Sequence, residues 1–429
     1  MNATDGSSLS AGGREPRWKT VICFLLLLAA IQLVLGPKIR LSQWAASAEY
    51  NAGIREAVAW MDGRLDLPDQ GLDPSRDRMH DTAYYNGKVY NVFPPLVGFL
   101  TVLLSPLHKL LLDRADLWLR TPHLLLFFWP LPITGFLVFR RQVGDSAWAA
   151  LLTLGWMGGT AVLPNLAYAG EGQLAQMYHV ASQVGLLILS ADLIGRQRVW
   201  PGLLGLLIAT WSRQMTFLYA LPLLWVARQR GRLGLCLAGL AVIAAPLLVL
   251  NHLKFGNPLD FGYRHIYVNR EAEELARKCT TYGTFSHHFI PENFYYMHLA
   301  PPVLEEVSFS HINIKPKNLL GTGIWLTTPL LLYVLVGIRA WWSDPKRRLL
   351  MLGTLPVMLG LLCYHGTGFI QAGWNRFALD YLPIWLVVIA PLTRGGLRSW
   401  LTVCCIAWSL LYFQAIVPNA ALLARPPGG

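Results

Sequence analysis

Apolar residues run along this chain in long blocks, separated mostly by short polar segments rich in Lys and Arg. The blocks fall at about Thr20–Gly36, Val92–Leu112, Leu119–Phe139, Ala147–Leu166, Leu174–Ile194 and Pro201–Val226. They continue at about Leu233–Leu250, Leu319–Ile338, Leu349–Tyr364, Leu379–Leu392 and Trp400–Val417. A helix needs roughly 20 apolar residues to cross a bilayer, and in lipid only helices and closed barrels satisfy their own backbone groups. The pattern therefore predicts an all-α fold: a polytopic helical membrane protein with about 10–12 transmembrane helices. Its expected parts are a tail over 1–19, a transmembrane module over 20–250 that includes an outer loop at 38–90, and a second outer loop at 251–318. A second transmembrane module follows over 319–417, with a short tail at 418–429.

Composition agrees. Mean hydropathy is +0.40, and only 14% of residues are charged, which lies outside the soluble globular range. The net charge of +12 points to membrane topology and not to nucleic acid. The cations gather at block ends, as in Arg228-Gln229-Arg230-Gly231-Arg232 and Lys346-Arg347-Arg348, where cytoplasmic loops collect them. No basic domain with interleaved aromatics is present. Arg14, Arg17, Lys19, Arg339, Arg394 and Arg398 set a cytoplasmic N-terminus, with the first block uncleaved and the loops 38–90, 251–318 and 365–378 outside. Simple alternation then places Arg140-Arg141 and Arg196/Arg198 outside as well, against the charge rule. A re-entrant hairpin or two half-spans repairs this, with breaks at Ser105-Pro106 and Trp211-Ser212-Arg213. Six cysteines without a CxxC pair give no disulfide or zinc framework. No internal repeat of the transporter kind is visible.

The polar loops carry the candidate chemistry. In Ala48–Met61, the positions of Ile54, Val58 and Met61 predict an amphipathic helix resting on the membrane surface. Most carboxylates of this loop read as solvated. Glu49 and Asp81 stand beside membrane-proximal elements, where partial burial raises a carboxylate toward general-base duty. Tyr84, Tyr85 and Tyr90 suit either an interfacial aromatic belt or stacking against a sugar, with Lys88 between them. Arg213 lies in the middle of an apolar block, a position that is functional by default. It suits a lipid phosphate, the cap of a broken helix, or a partner such as Glu171. Arg376 and Asp380 are spaced i, i+4, which fits an ion pair or phosphate binding by Arg376. The second outer loop holds His252, His265, His287, His288, His298 and His311, but not in HxxxH or HExxH spacing, so no metal and no cofactor are expected.

These stretches, taken in order, resemble the membrane glycosyltransferases of the GT-C superfamily, particularly protein mannosyltransferases and lipid A aminoarabinose transferases. The matching run is Ala48-Glu49, then Met61-Asp62-Gly63-Arg64-Leu65-Asp66-Leu67-Pro68, Asn86-Gly87-Lys88-Val89-Tyr90 and Phe93-Pro94-Pro95. Two later stretches are similar to bacterial members: Phe255-Gly256-Asn257-Pro258-Leu259-Asp260-Phe261-Gly262-Tyr263 and Arg376-Phe377-Ala378-Leu379-Asp380-Tyr381-Leu382-Pro383. The chain departs at two positions: Ala48 stands where the family's acidic pair begins with Asp, and Phe93 where a phosphate-binding Lys precedes Pro-Pro. The resemblance implies a transferase in the bacterial plasma (inner) membrane, moving a sugar from a polyprenyl-phosphate donor to an acceptor hydroxyl at the outer face. Glu49 or Asp81 would act as base, with Lys88, Arg213 and Arg376 on the leaving phosphate and membrane lipid as the surrounding partner. The rival expectations are a transporter or flippase of a lipid-linked or anionic substrate, and a catalytically degenerate membrane scaffold.

Overall fold

The computed structural model describes residues 15–36, 45–47, 52–67, 82–111, 117–119, 126, 128–170, 177–266, 274–307, 312–316, 321–367 and 375–423. The chain is predominantly helical, with three two-stranded antiparallel ladders among the described residues. In order come α1 (Arg17–Val34), α2 (Ala52–Met61), the hairpin β1 (Thr82–Tyr85) and β2 (Lys88–Asn91), and α3 (Leu96–Leu111). Next are α4 (Pro130–Val143), α5 (Ser146–Gly158), α6 (Val162–Gly170), α7 (Met177–Ile194), α8 (Trp200–Ser212), α9 (Ala220–Gln229) and α10 (Leu233–Phe255). The C-terminal half contributes α11 (Glu274–Tyr282), α12 (Ile290–Phe294), α13 (Ile324–Thr327), α14 (Tyr333–Val336), α15 (Ile338–Ser343), α16 (Pro345–Leu362), α17 (Leu382–Ile389) and α18 (Leu397–Leu423).

By length and composition, α1 and α10 are the helices among the described residues that suffice to cross a membrane. Several expected continuous blocks are broken instead. The block Leu319–Ile338 is divided at Thr328 and Gly337, and Leu379–Leu392 is divided into a 3-10 turn over Arg376–Asp380, α17, and a second 3-10 turn. Prolines open several of these short pieces, where a missing N–H costs nothing.

Local chemistry sets the joints. Gly144 ends α4 in the left-handed region at φ 70°, as a helix C-terminus favours. Asp145 then caps α5 by accepting from the Trp148 N–H at 2.8 Å. Gly185 of α7 and Gly205 of α8 face each other so closely that a side chain on either would collide with the other's carbonyl. That small-residue seam lets α7 and α8 pack closely along their length.

Among the described residues, the segments around 15, 140–146, 194–198, 230–232, 346–347 and 394 meet at one end of the molecule. Glu15 bonds the Ser146 hydroxyl at 2.5 Å and Arg140 at 3.7 Å, and Asp145 pairs with Arg394 at 3.2 Å. Arg347 reaches Gln142 at 3.1 Å, while Lys346 donates to the carbonyls of Ile194 and Gly195. Arg230 donates to Gln197 at 2.7 Å, and Arg232 to the Arg198 carbonyl at 2.8 Å. The segment between residues 198 and 230 thus leaves this end and returns to it. It is a helical hairpin of α8 and α9, turned by a 3-10 segment over Gln214–Tyr219. The predicted break at Trp211-Ser212-Arg213 is present: α8 stops at Ser212 and Arg213 is extended. The predicted break at Ser105-Pro106 is absent, because α3 continues through Pro106.

Candidate functional site

The residues of interest gather toward the end opposite the cationic loops. Helix α2, described over Ala52–Met61, is enclosed by the protein and does not rest on its surface. Ala52 to Ala57 are buried on every side, including Arg55 and Glu56. The sequence pattern misleads here because Glu56 has an internal partner and faces α3, where a side chain at Gly98 would press on its carboxylate.

That partner is Lys254, near the C-terminus of α10. Its Nζ donates to Glu56 Oε1 at 2.5 Å and to the Asn91 carbonyl at 3.0 Å. The Asn91 side-chain amide donates to Glu56 Oε2 at 2.7 Å. Both ions are at most 5% exposed, and a buried ion persists only when paired and hydrogen-bonded. Lys254 also sits where the helix dipole favours a cation. Asn91 ends β2 and is aligned by the Asn86-Gly87 turn, whose two left-handed residues, at φ 49° and 76°, match the twist of a two-residue hairpin.

An apolar groove of about 510 Å³ runs beside this cluster. Trp60 and Leu65 at the end of α2, Pro95 and Phe99, Trp211 of the hairpin, and Pro246, Val249 and Leu250 of α10 form its walls, with Arg64 at the rim. A second, small cavity of about 20 Å³ is lined by Glu56, Asn91, Pro94, Gln214, Asn251 and Lys254, among others. The two share Pro95 and Leu250. Apolar groove and charged head are therefore neighbours.

The tip of the hairpin forms a second polar cluster. Arg213 grips Asp380 through Nε and Nη2, with contacts of 2.8–3.2 Å, and Asp380 is fully buried. Asp380 therefore pairs across the fold with Arg213 instead of with Arg376 one turn away, because Arg376–Asp380 is a 3-10 turn. Glu171 lies outside the described residues. Arg213 and Arg376 both lie over the Phe377 ring, at 5.2 and 5.5 Å. The neighbouring Gln214 donates to the Val92 carbonyl at 3.4 Å and accepts from the Tyr263 hydroxyl at 3.4 Å. These contacts tie the tip to the Asn91–Pro95 strand end.

Of the loop residues singled out in the sequence, Glu49 and Asp81 lie outside the described residues. Tyr85 and Tyr90 pack edge-on against Phe255 at 5.9 and 5.5 Å, and burial pushes the Tyr90 phenol up. Tyr84 is half-buried on the other face of the hairpin, and Lys88 is exposed, 3.5 Å from Asp66. The Arg64 hydrogen bond at 2.7 Å holds Asp66 below the ordinary carboxylate range. Phe93 stacks on Tyr178 at 4.7 Å. The loop after α10 is closed by Asp260, which accepts from the Gly262 N–H, Arg264 and His265 at 2.6–2.9 Å. Burial pushes Asp260 up, but these donors outweigh it and hold the carboxyl low.

Sequence reasoning missed Glu56, Asn91 and Lys254. The signal for Lys254 was its place just past the apolar block Leu233–Leu250, in the same helix. Glu56 was hidden among seven other carboxylates of its loop. Among the described residues, no group of three or more His, Cys, Asp or Glu is placed to hold a metal ion. Compared with known proteins, the chain matches no family model and no curated protein.

Proposed function

We propose that this protein is a multi-pass membrane glycosyltransferase that uses a polyprenyl-phosphate-linked sugar at the outer face of a bacterial plasma membrane. One observation carries this reading: an apolar groove lies beside a buried ammonium–carboxylate–carboxamide head, with Pro95 and Leu250 in the walls of both cavities. That arrangement suits a molecule with a long apolar chain and an anionic group. Wide apolar exposure supports a membrane setting. Leu25, Leu26 and Leu33 of α1 and Val242, Val249 and Leu253 of α10 all face outward, well beyond what a soluble surface carries. The gathering of cationic loops at one end fits a cytoplasmic side and a cytoplasmic N-terminus.

In the proposed reaction the acceptor hydroxyl oxygen attacks the anomeric carbon. The bond from that carbon to the phosphate oxygen breaks, and its electron pair leaves with the phosphate. The hydroxyl proton passes to a carboxylate, Glu49 or Asp81. Lys254 joins Lys88, Arg213 and Arg376 as positive charge for the leaving phosphate; preorganised charge of this kind is usually the largest catalytic term. A single displacement inverts the anomeric centre. Tyr84, with Tyr85 and Tyr90, would border the sugar.

The test is to incubate the purified protein with polyprenyl-phosphate sugars and a hydroxyl-bearing acceptor, and follow release of free polyprenyl phosphate. The transferase reading expects release in the wild type and its loss in Lys254→Met. The hairpin of α8 and α9 favours a second reading, a transporter or flippase, since interrupted helices often build transport sites. Movement of intact substrate across proteoliposomes without cleavage would select that reading.

A further inference from the structure

We propose that Glu56 is a displaceable counter-ion: in the empty protein it occupies the ammonium of Lys254, and a phosphoryl oxygen arriving from the groove takes its place. This rests on the reading of the groove as a site for an anionic amphiphile.

Three observations lead here. First, Lys254 and Glu56 are buried and balance each other one to one. A bare buried ammonium is costly by several kcal/mol, so the empty site needs an internal anion. An incoming anion must then replace that group, because two anions beside one ammonium repel. Second, the space for the replacement exists. The cavity beside Lys254 holds about 20 Å³, enough for roughly one oxygen-sized group, and only Pro95 and Leu250, which wall both cavities, are shared between it and the groove. Third, the groove and the counter-ion share an element. Trp60 lies one turn after Glu56 on α2, and Gly63, Arg64 and Leu65 follow directly. A chain filling the groove therefore presses on the helix that carries Glu56. Asn91 can stay in place, since its amide donates equally well to a carboxylate or a phosphoryl oxygen.

The measurement is a binding titration of full-length protein in detergent with farnesyl phosphate, and with farnesol as the uncharged control. Removing the internal competitor raises the competent fraction, so Glu56→Gln is expected to bind farnesyl phosphate roughly tenfold tighter or more. Glu56→Asp, whose shorter carboxylate holds Lys254 less well, falls between it and the wild type. Farnesol affinity stays the same in all three. The double variant Glu56→Gln/Lys254→Met is expected to lose the preference for farnesyl phosphate over farnesol. Equal or weaker farnesyl phosphate binding by Glu56→Gln, with the wild type binding saturably, overturns the counter-ion role and leaves the groove reading standing. Should Glu56→Gln not fold, Glu56→Asp decides alone, and unchanged or weaker binding overturns the proposal. No saturable binding to wild type or variants removes the amphiphile site and the counter-ion with it.

Discussion

Two internal ion pairs, Arg213–Asp380 and Lys254–Glu56, lie between elements distant in sequence. Breaking one side of such a pair leaves the other charge buried, which costs about 3–5 kcal/mol, whereas replacing both sides by apolar groups is often neutral. Arg213→Met and Asp380→Leu should each lower unfolding stability in detergent by about that amount, and the double variant by far less than their sum. Additive losses would show that the pair is not an energetic unit. A second residue-scale expectation concerns His298, which packs between Phe294 and Trp325. Burial holds it down at about 4. A folded-state value below the unfolded one means stability is full above the ordinary histidine range and is lost as pH falls toward 4. The loss is at most about 3 kcal/mol. Melting curves between pH 7.5 and 4.5 should therefore fall more steeply for the wild type than for His298→Phe; parallel curves would remove this origin. Arg213 was legible in the sequence because a lone charge inside an apolar block is conspicuous. Its partner was not, because Asp380 is 167 residues away and local spacing offered Arg376 instead. Glu56 fails the same way: a period-3.6 pattern locates an apolar face but does not show that a carboxylate beside it is matched by a lysine from another helix.

At the scale of elements, the hairpin of α8 and α9 accounts for the part of the conflict between charge rule and alternation that concerns Arg196 and Arg198. Its ends touch through Arg230–Gln197 and Arg232–Arg198, so the segment begins and finishes at the same end. A cysteine-free background carrying Arg196→Cys, Arg230→Cys or Leu259→Cys checks this with an impermeant thiol reagent. The first two are expected to label from one face and the third from the opposite face. Labelling of Arg196→Cys and Arg230→Cys from opposite faces would mean that the segment spans the membrane. The sequence showed the break itself, since Trp211-Ser212-Arg213 interrupts the apolar run. It did not show which break mattered: Pro106 looked equivalent, yet α3 runs through it, because the cost of an internal proline is a local bend and one lost hydrogen bond, which surrounding helices can absorb. The hairpin of β1 and β2 was also legible in retrospect, its Asn86-Gly87 pair being the strongest two-residue turn signal.

At the scale of the molecule, the cationic end, the broad apolar flanks and the groove at the far end form one polarity. The apolar blocks foretold the helical class and the charge clusters foretold the shared end. The groove could not be foretold, because its walls come from four separated stretches of sequence: 60–65, 95–99, 211 and 246–250. What fills the groove decides the function. Photo-crosslinking with a diazirine-bearing polyprenyl phosphate, followed by peptide mapping, tests that directly. The expected adducts fall on Trp60–Leu65, Pro95–Phe99, Trp211 and Pro246–Leu250, and unlabelled polyprenyl phosphate suppresses them. Adducts scattered over the outward faces of α1, α16 and α18, without competition, would contradict the central claim.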